Sequence, residues 1–148
     1  QTFKSECTGR AYFRHQISQR LVPALRAYHP DLIIVSMGFD GAHLDVGNAN
    51  NHPMFDQEAG GLDLLQEDYN WATQQMCSVA DVCCDGRIVS VLEGGYGKRI
   101  NKRNPDGTYS IDLDRSDLAD NGCAHLRGLV GSDTSFGASL SVPQTLKP

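Results

Sequence analysis

The sequence predicts an α/β fold in which helices flank a parallel β-sheet. Residues 32–35 form a short unbroken apolar run bounded by turn-forming residues, and residues 88–92 form a second, mostly apolar segment; each follows a segment with a helical pattern of apolar positions. Unbroken apolar runs are typical of strands that are covered on both faces, as in parallel sheets. The order helix, strand, helix, strand with short connections favours right-handed crossovers between parallel strands.

The first helix is predicted between residues 11 and 28, where apolar residues recur at every fourth position. This spacing produces one apolar stripe, which a helix buries against a core. Pro23 should bend the helix or end its regular part, because proline lacks a backbone donor and crowds the preceding turn. His29-Pro30 should then end it, since the residue before a proline disfavours helical angles. The stripe consists of Phe13, Ile17, Leu21 and Leu25.

The second helix is predicted to begin near Asp63. Together with Gln66, three residues later, this aspartate resembles a capping box. Asp85-Gly86 should end the helix just before the second strand. The inward face of the helix should consist of Tyr69, Ala72, Met76 and Val79.

The region after the second strand is polar over residues 98–115 and contains the turn sequence Asn104-Pro105-Asp106-Gly107. Its flanking segments are predicted to pair as a small exposed hairpin. Its basic residues are interpreted as a solvated loop rather than as a nucleic-acid patch or a localisation signal. A last helix should begin at Ser116 and end at Gly131, with Leu118, Leu126 and Leu129 facing inward.

The composition is typical of a soluble globular domain, with 40% hydrophobic and 21% charged residues in a chain of 148. No apolar run approaches the roughly 20 residues that span a bilayer, so we expect no membrane association. The net charge of −5 argues against direct nucleic-acid binding, which requires clustered Lys and Arg. A basic partner, such as a lysine-rich peptide, fits this charge better.

The five cysteines form no C-x-x-C pair and have no finger-like spacing with histidine, so a zinc knuckle is not predicted. We interpret them as small buried hydrophobes of a protein in a reducing compartment, with a nuclear and/or cytoplasmic location. Because the chain begins with Gln1 rather than Met and ends in a loose stretch after residue 140, we expect it to be a piece of a longer protein.

The candidate chemistry lies where the two predicted strands end. The first strand leads into Gly38-Phe39-Asp40 and the second into Glu93-Gly94-Gly95-Tyr96-Gly97. Ligands of open α/β sheets gather at the carboxyl ends of the strands. Asp40 could ligate a divalent metal, and Tyr96 could donate a hydrogen bond to a carbonyl oxygen that gains negative charge. Taken alone, such an aspartate is more often a turn residue, and such a tyrosine more often serves packing.

A family resemblance is carried by two stretches, LVPALRAYHPDLIIVSMGFDGA at residues 21–42 and VLEGGY at residues 91–96. Both resemble the zinc-dependent histone deacetylases, specifically their class II branch. The resemblance covers most of residues 9–97 and resumes at 118–131, which leaves apparent insertions near 46–60 and 98–115. It implies the arginase/deacetylase fold, with residues 1–148 forming a C-terminal segment of one catalytic domain that hydrolyses acetyl-lysine to lysine and acetate.

The resemblance also implies roles for individual residues. Asp40 falls on the zinc ligand of the G-F-D motif, and Tyr96 falls on the tyrosine of E-G-G-Y, which hydrogen-bonds the acetyl carbonyl. Gly94 and Gly95 would line the channel that holds the lysine stem. The other zinc ligands, an Asp-x-His unit, and a His-His pair for proton transfer lie upstream in the family and are absent from this sequence. The N-terminal half of the same domain is therefore an expected partner, beside the acetylated protein substrate.

The chain departs from the family around the pocket mouth. Asp45 matches a G-D-P-L-G-like segment, but Leu44 and Val46 replace its glycine and proline. Substrate preference is therefore not carried over. The histidines nearby, His43 and His52, are interpreted as exposed loop residues rather than metal ligands.

Other functions remain open. An acetylpolyamine amidohydrolase would share the ligands and the tyrosine, and an inactive deacetylase-like scaffold would bind acetylated tails without turnover. An arginase-like site with two manganese ions is disfavoured, because Ala42 stands where a second aspartate is needed. A flavodoxin-like nucleotide binder is disfavoured because no Gly-rich loop has phosphate-binding spacing.

Overall fold

The computed structural model describes residues 9–48 and 61–131, so the stretches 1–8, 49–60 and 132–148 lie outside the description that follows. His52, most of the first predicted insertion and the predicted tail fall in those stretches. Within the described residues, no helix is long and apolar enough to cross a membrane.

The first helical segment is continuous but changes its hydrogen-bonding pattern. Helix α1 (Gly9–Gln16) leads into a π-helical turn (Ile17–Leu21), and helix α2 (Val22–Tyr28) follows. Pro23 lies in the first turn of α2, directly after the π-helical turn. The interruption predicted from Pro23 thus takes the form of a wider turn just before it. His29 ends α2 in a left-handed conformation with a φ of 54°, and its N–H bonds to the Leu25 carbonyl.

The central sheet of the described residues has two parallel strands. Strand β1 (Ile33–Met37) pairs with β2 (Ile88–Leu92), with Ile33 opposite Ile88 and Met37 opposite Leu92. Helix α3 (Gln66–Cys84) lies between them in the chain, which gives the parallel crossover that the sequence pattern predicts. The prediction of an α/β arrangement is confirmed.

The two faces of this sheet differ. Ile33, Val35 and Met37 point into the core, where they join residues of α3 such as Met76. On the other face, Ile34 is 66% exposed and is accompanied by the exposed Val89 and Val91. In the described part of the chain the sheet is therefore covered on one face, whereas the continuous apolar run of the first strand predicts cover on both.

Helix α3 begins three residues later than Asp63 and is not capped by it. Asp63 instead has a left-handed φ of 51°. The Asp68 carboxylate accepts the Leu65 N–H at 2.9 Å and thereby satisfies a donor at the start of the helix. The capping box predicted from Asp63 and Gln66 is wrong. The predicted inward face is correct, since each of its four residues is buried: Tyr69, Ala72, Met76 and Val79.

A buried ion cluster joins the start of α3 to α1. The Asp68 side chain has no exposed surface and accepts hydrogen bonds from Arg10 and Arg14, each at 2.6 Å. Burial alone would raise the pKa of this carboxyl, but the hydrogen bonds from Arg10, from the Leu65 N–H and from Arg14 outweigh it and lower the pKa. The cluster fixes the amino-terminal helix on the domain.

The hairpin is present as predicted. Strand β3 (Lys98–Arg103) pairs antiparallel with β4 (Tyr109–Asp114) around a turn at residues 104–108. Helix α4 (Ser116–Val130) follows and ends at Gly131, which has a φ of 77°. Its buried face differs from the prediction, because Leu126 is 53% exposed. The buried positions of α4 are Asn121, Ala124, His125 and Gly128.

The contact between α3 and α4 is therefore partly polar. Thr73 Oγ1 donates to the Tyr69 carbonyl at 2.7 Å and lies 2.7 Å from His125 Nδ1. Since the hydroxyl proton is engaged, Nδ1 carries the imidazole proton, and Nε2 accepts from Ser90 Oγ at 2.8 Å. Burial lowers the pKa of His125. The histidine thus ties both helices to β2 as a neutral group.

Candidate functional site

The two strand tips lie side by side, as the parallel register requires. Beyond the last pair of β1 and β2, the Glu93 N–H donates to the Met37 carbonyl at 2.8 Å. The Phe39 N–H then reaches the Gly94 carbonyl at 3.5 Å. The loops that carry Asp40 and Tyr96 therefore leave the sheet at the same edge.

Asp40 lies at the surface of this edge with its carboxylate against two glycines. A Cβ atom on Gly38 would lie 2.7 Å from Asp40 Oδ1, and one on Gly94 would lie 2.9 Å from it. Both positions are thus kept free of side chains by the space that the carboxylate occupies. Within the described residues, the Asp40 side chain makes no hydrogen bond or ion pair, so its oxygens remain available to a ligand.

Gly47 is the residue that both predicted functional side chains approach. A Cβ atom on it would lie 2.7 Å from Asp40 Cβ and 3.1 Å from Tyr96 Cδ2. Tyr96 itself is 52% exposed, so its ring is not part of the packed core. The carboxylate and the phenol predicted from the strand tips are therefore neighbours on one surface.

Asp45 was noted in the sequence only as a match to a motif, yet it is the best-connected polar residue of this edge. It is 5% exposed. Its Oδ2 accepts the Tyr96 N–H at 2.8 Å and the Gly97 N–H at 2.7 Å, while Oδ1 accepts the Gly47 N–H at 2.7 Å. The carboxylate therefore joins the loop after β1 to the loop after β2.

Further backbone bonds hold the loop after β1 in place. The Val46 N–H donates to the Gly97 carbonyl at 3.0 Å, and residues 42 and 64 form a parallel bridge. The buried Asn48 accepts the Leu62 N–H at 3.1 Å and donates to Asp63 at 2.8 Å. The first part of the predicted insertion, residues 46–48, thus has a defined conformation.

The floor of the site is aromatic. Phe39 is buried and meets the Tyr69 ring edge-on at 5.0 Å, and the Tyr69 hydroxyl donates to the Phe39 carbonyl at 3.3 Å. Burial, together with the negative charges of Asp40 and Asp45, raises the pKa of Tyr69 well above its ordinary value. Tyr69 therefore stays protonated and supports the backbone that precedes Asp40.

The local contacts of Gly94 and Gly95 differ. Gly94 has a φ of 67° and faces the Asp40 carboxylate. Gly95 has a φ of 97°, and a Cβ atom on it would lie 2.7 Å from Leu118 Cδ1 and 2.9 Å from Phe39 Cβ. Packing against the core accounts for the second glycine. The predicted role of both residues in lining a lysine channel stays a prediction.

An apolar groove of about 630 Å³ lies beside β1 and reaches Asp40 and Gly47. Its walls come from β1, from α3 and from the first helical segment, including Phe13, Ile17 and Leu25. Tyr96 does not line it. The groove therefore shares Asp40 and Gly47 with the candidate site but does not include Tyr96.

No group of three or more His, Cys, Asp or Glu side chains that could hold a metal occurs in residues 9–48 and 61–131. His43 is exposed and lies 3.4 Å from Asp63, consistent with its interpretation as a loop histidine. The four cysteines in the described ranges are free thiols. Asp40 is accordingly a single oxygen donor, and any further ligands would come from outside the described residues.

Comparison with known proteins identifies the family of this chain. The profile of the histone deacetylase domain matches residues 3–109. The chain belongs to the histone deacetylase family. Type-2 histone deacetylase 2 of Dictyostelium discoideum is 44% identical over 97 residues, which make up 66% of this chain and 5% of that protein. Histone deacetylase 7 of Homo sapiens is 33% identical over 76 residues, 51% of this chain and 6% of that protein.

Among solved structures, the HD domain of HDA15 aligns with 95% of this chain and with 29% of its own length, at a TM-score of 0.49 and 18% identity. Membership of the family, together with the parallel β1–β2 pair, confirms the predicted fold class, the arginase/deacetylase α/β fold. The chain spans less than a third of that solved domain and a small part of the relatives it matches.

Proposed function

We propose that residues 1–148 form the C-terminal segment of a zinc-dependent lysine deacetylase domain, which hydrolyses acetyl-lysine in histones or other proteins and releases acetate. The observation that carries this proposal is the meeting of Asp40 and Tyr96 at Gly47. A hard oxygen donor and a phenol hydroxyl at one sheet edge suit a metal-assisted acyl hydrolysis. Membership of the histone deacetylase family supports the same reaction class.

Asp40 is the proposed zinc ligand of this segment. The residue is exposed, its carboxylate has no hydrogen-bonding partner among the described residues, and the glycines at 38 and 94 let Oδ1 pack close to the backbone. A carboxylate oxygen is an ordinary zinc donor, but a catalytic site generally has three protein ligands. Zinc held there would supply a Lewis acid that polarises the acyl oxygen and acidifies a water molecule. The remaining ligands are proposed to come from the N-terminal half of the domain.

Tyr96 is the proposed oxyanion donor. Its ring is half exposed, and its hydroxyl has no hydrogen-bonding partner among the described residues. The hydroxyl can therefore donate to an acyl oxygen as negative charge develops on it, which is where such a hydrogen bond accelerates acyl transfer. Proton transfer to and from water is left to histidines of the N-terminal half. The acetylated peptide and that half are thus the proposed partners, in the nucleus and/or cytoplasm.

The test of this proposal uses the complete catalytic domain that contains this chain. In Tyr96→Phe, turnover of an acetyl-lysine peptide should fall by about 10²–10³-fold, as expected for the loss of one oxyanion donor. Zinc content, measured by elemental analysis, should stay unchanged. Asp40→Ala should instead lower the zinc content, because a ligand is removed.

Other results would redirect the assignment. Full turnover in Tyr96→Phe contradicts the role of the tyrosine, and full zinc content in Asp40→Ala removes Asp40 from the ligand set. Hydrolysis of acetylspermidine in preference to the peptide would indicate an acetylpolyamine amidohydrolase. Peptide binding without acetate release by the unmodified domain would indicate an inactive scaffold.

A further inference from the structure

Asp45 is a buried carboxylate with an unusual set of partners. Its three hydrogen bonds come from the backbone N–H groups of Gly47, Tyr96 and Gly97, at 2.7 to 2.8 Å. Two of these donors lie 51 and 52 residues further along the chain. Charge-assisted hydrogen bonds of this kind are stronger than neutral ones, so they compensate the burial of the charge.

Two of the donors, the Tyr96 and Gly97 N–H groups, belong to the loop after β2, whose backbone has unusual angles. Gly97 has a φ of 95° and Gly95 a φ of 97°, so the backbone on both sides of Tyr96 adopts left-handed angles. A Cβ atom on Gly97 would lie 2.3 Å from the Asp114 carbonyl oxygen, which shows how closely the loop approaches the end of the hairpin. Such a conformation persists only where surrounding contacts hold it.

The same carboxylate also controls the space between the two proposed functional residues. Oδ1 accepts the Gly47 N–H, and a Cβ atom on Gly47 would meet both Asp40 and Tyr96. A backbone hydrogen bond from the Val46 N–H to the Gly97 carbonyl adds a second connection between the same two loops. One side chain thus fixes the backbone of Tyr96 and the residue that faces its ring.

We propose that Asp45 is a positioning residue for Tyr96: by accepting the Tyr96 and Gly97 N–H groups, it sets where the phenol hydroxyl meets the acyl oxygen. This inference rests on the proposed function of Tyr96 as the oxyanion donor. Asp45 touches no substrate and acts through the loop. A misplacement of about 1 Å at a reacting centre costs about 100-fold in rate, so a carboxylate that orients this loop affects turnover.

The test is Asp45→Asn in the complete domain. The amide keeps the shape of the side chain but places an NH₂ donor, or an uncharged oxygen, opposite the Tyr96 and Gly97 N–H groups. We expect kcat for an acetyl-lysine peptide to fall about 100-fold, with zinc content and KM unchanged within about a factor of two. Hydrogen exchange of the peptide that covers residues 93–97 should become faster.

Asp68→Asn is the matched control, because it also removes the charge of a buried carboxylate. Asp68 is as buried as Asp45 and also accepts a backbone N–H, but it lies at the start of α3 and not at the strand tips. This variant should lower the melting temperature and leave kcat per zinc-loaded, folded molecule unchanged. If Asp45→Asn behaves in the same way, Asp45 is structural only and the proposal is overturned.

A double-mutant cycle separates this inference from the proposed function. In a Tyr96→Phe background the hydroxyl to be positioned is gone, so adding Asp45→Asn should reduce kcat by less than about threefold. Two full, multiplicative losses would show that Asp45 does not act through Tyr96. Unchanged turnover in Tyr96→Phe alone would instead refute the role of the tyrosine, on which the inference rests.

Discussion

Two buried carboxylates show how differently this chain uses the same chemical group. Asp68, at the start of α3, is held by the cations Arg10 and Arg14 from another helix. Asp45, at the strand tips, is held in the described structure by backbone N–H groups alone. In the first case the charge is balanced by flexible side chains, and in the second by the backbone itself.

The difference indicates what each region contributes. A carboxylate between arginines joins two helices away from the strand tips, so its effect should appear in stability. A carboxylate that collects backbone N–H groups prescribes φ and ψ angles along the loops that donate them, so its effect should appear at Tyr96. Substitutions of Asp68 should therefore mainly lower stability, and substitutions of Asp45 should mainly lower turnover.

Asp68→Ala should produce the largest loss of stability. It leaves Arg10 and Arg14 without their shared partner and removes the acceptor of the Leu65 N–H. Breaking a buried ion pair by removing one partner costs about 3–5 kcal/mol, and the two arginines, which are partly exposed, place this site at the lower end. Denaturant unfolding of the complete domain measures the change.

Lys102→Ala is the control for that prediction, because the Lys102–Asp112 pair is an exposed ion pair on the hairpin. Its loss should change the free energy of unfolding by less than about 1 kcal/mol. If the two substitutions changed the free energy of unfolding equally, burial would not be the reason why the Asp68 cluster stabilises the fold. Since the Asp68 pKa is lowered, its stabilisation should also be lost as the pH falls below 3.8, the ordinary value of the carboxyl.

A pair of glycine substitutions compares the same regions by steric means. In Gly47→Ala the new methyl group would lie 2.7 Å from Asp40 Cβ, and in Gly128→Ala it would lie 2.7 Å from Thr73 Cβ. We expect Gly47→Ala to lower turnover about 100-fold by displacing Asp40 or Tyr96. Gly128→Ala should lower the free energy of unfolding by about 1–3 kcal/mol through overpacking between α3 and α4.

The measurements for this pair are kcat per zinc-loaded molecule and the denaturation midpoint, both on the complete domain. Each variant serves as the control of the other, since both add one methyl group at a similar distance from a Cβ atom. A large loss of kcat in Gly128→Ala, or an unaltered kcat in Gly47→Ala, would remove the distinction between the two regions.

The strand tips could be predicted from sequence because their signals are local. Short apolar segments mark β1 and β2, and glycines mark the turns that follow, so Asp40 and Tyr96 could be expected at one edge. The importance of Asp45 could not be predicted, because its main partners are N–H groups more than 50 residues away and backbone donors leave no trace in residue type. The short G-D-P-like match was the only signal.

The helix predictions were wrong in two places: at the start of α3, where two similar sequence patterns compete, and in α4, where the buried face is polar. Asp63 and Gln66 have the same spacing as Leu65 and Asp68, and the arginines of α1 decide which aspartate becomes buried. In α4, counting leucines selects Leu126, but the helix turns His125 inward instead. The hydroxyl groups of Thr73 on α3 and Ser90 on β2 make that burial possible. A pattern of hydrophobic residues cannot predict such hydrogen bonds.

The smallest expected effect concerns His125, which lies between the two regions. Its Nδ1–H is taken by Thr73 and its Nε2 accepts from Ser90, so the neutral form is fully hydrogen-bonded. Burial lowers its pKa below the ordinary value of 6.5, which means that the folded state binds the proton less tightly than the unfolded state.

The sign of the pH dependence follows directly. The contribution of His125 to stability is fully present above pH 6.5 and is lost as the pH falls through its lowered pKa in the folded state. Melting temperatures of the complete domain should therefore decline below pH 6.5, and the decline should be shallower in His125→Gln, which cannot titrate. An identical decline in both proteins would assign the acid sensitivity to other groups. The His125 contribution begins to fall near pH 6.5 and that of Asp68 only near pH 3.8, so the two losses begin in different parts of one pH series.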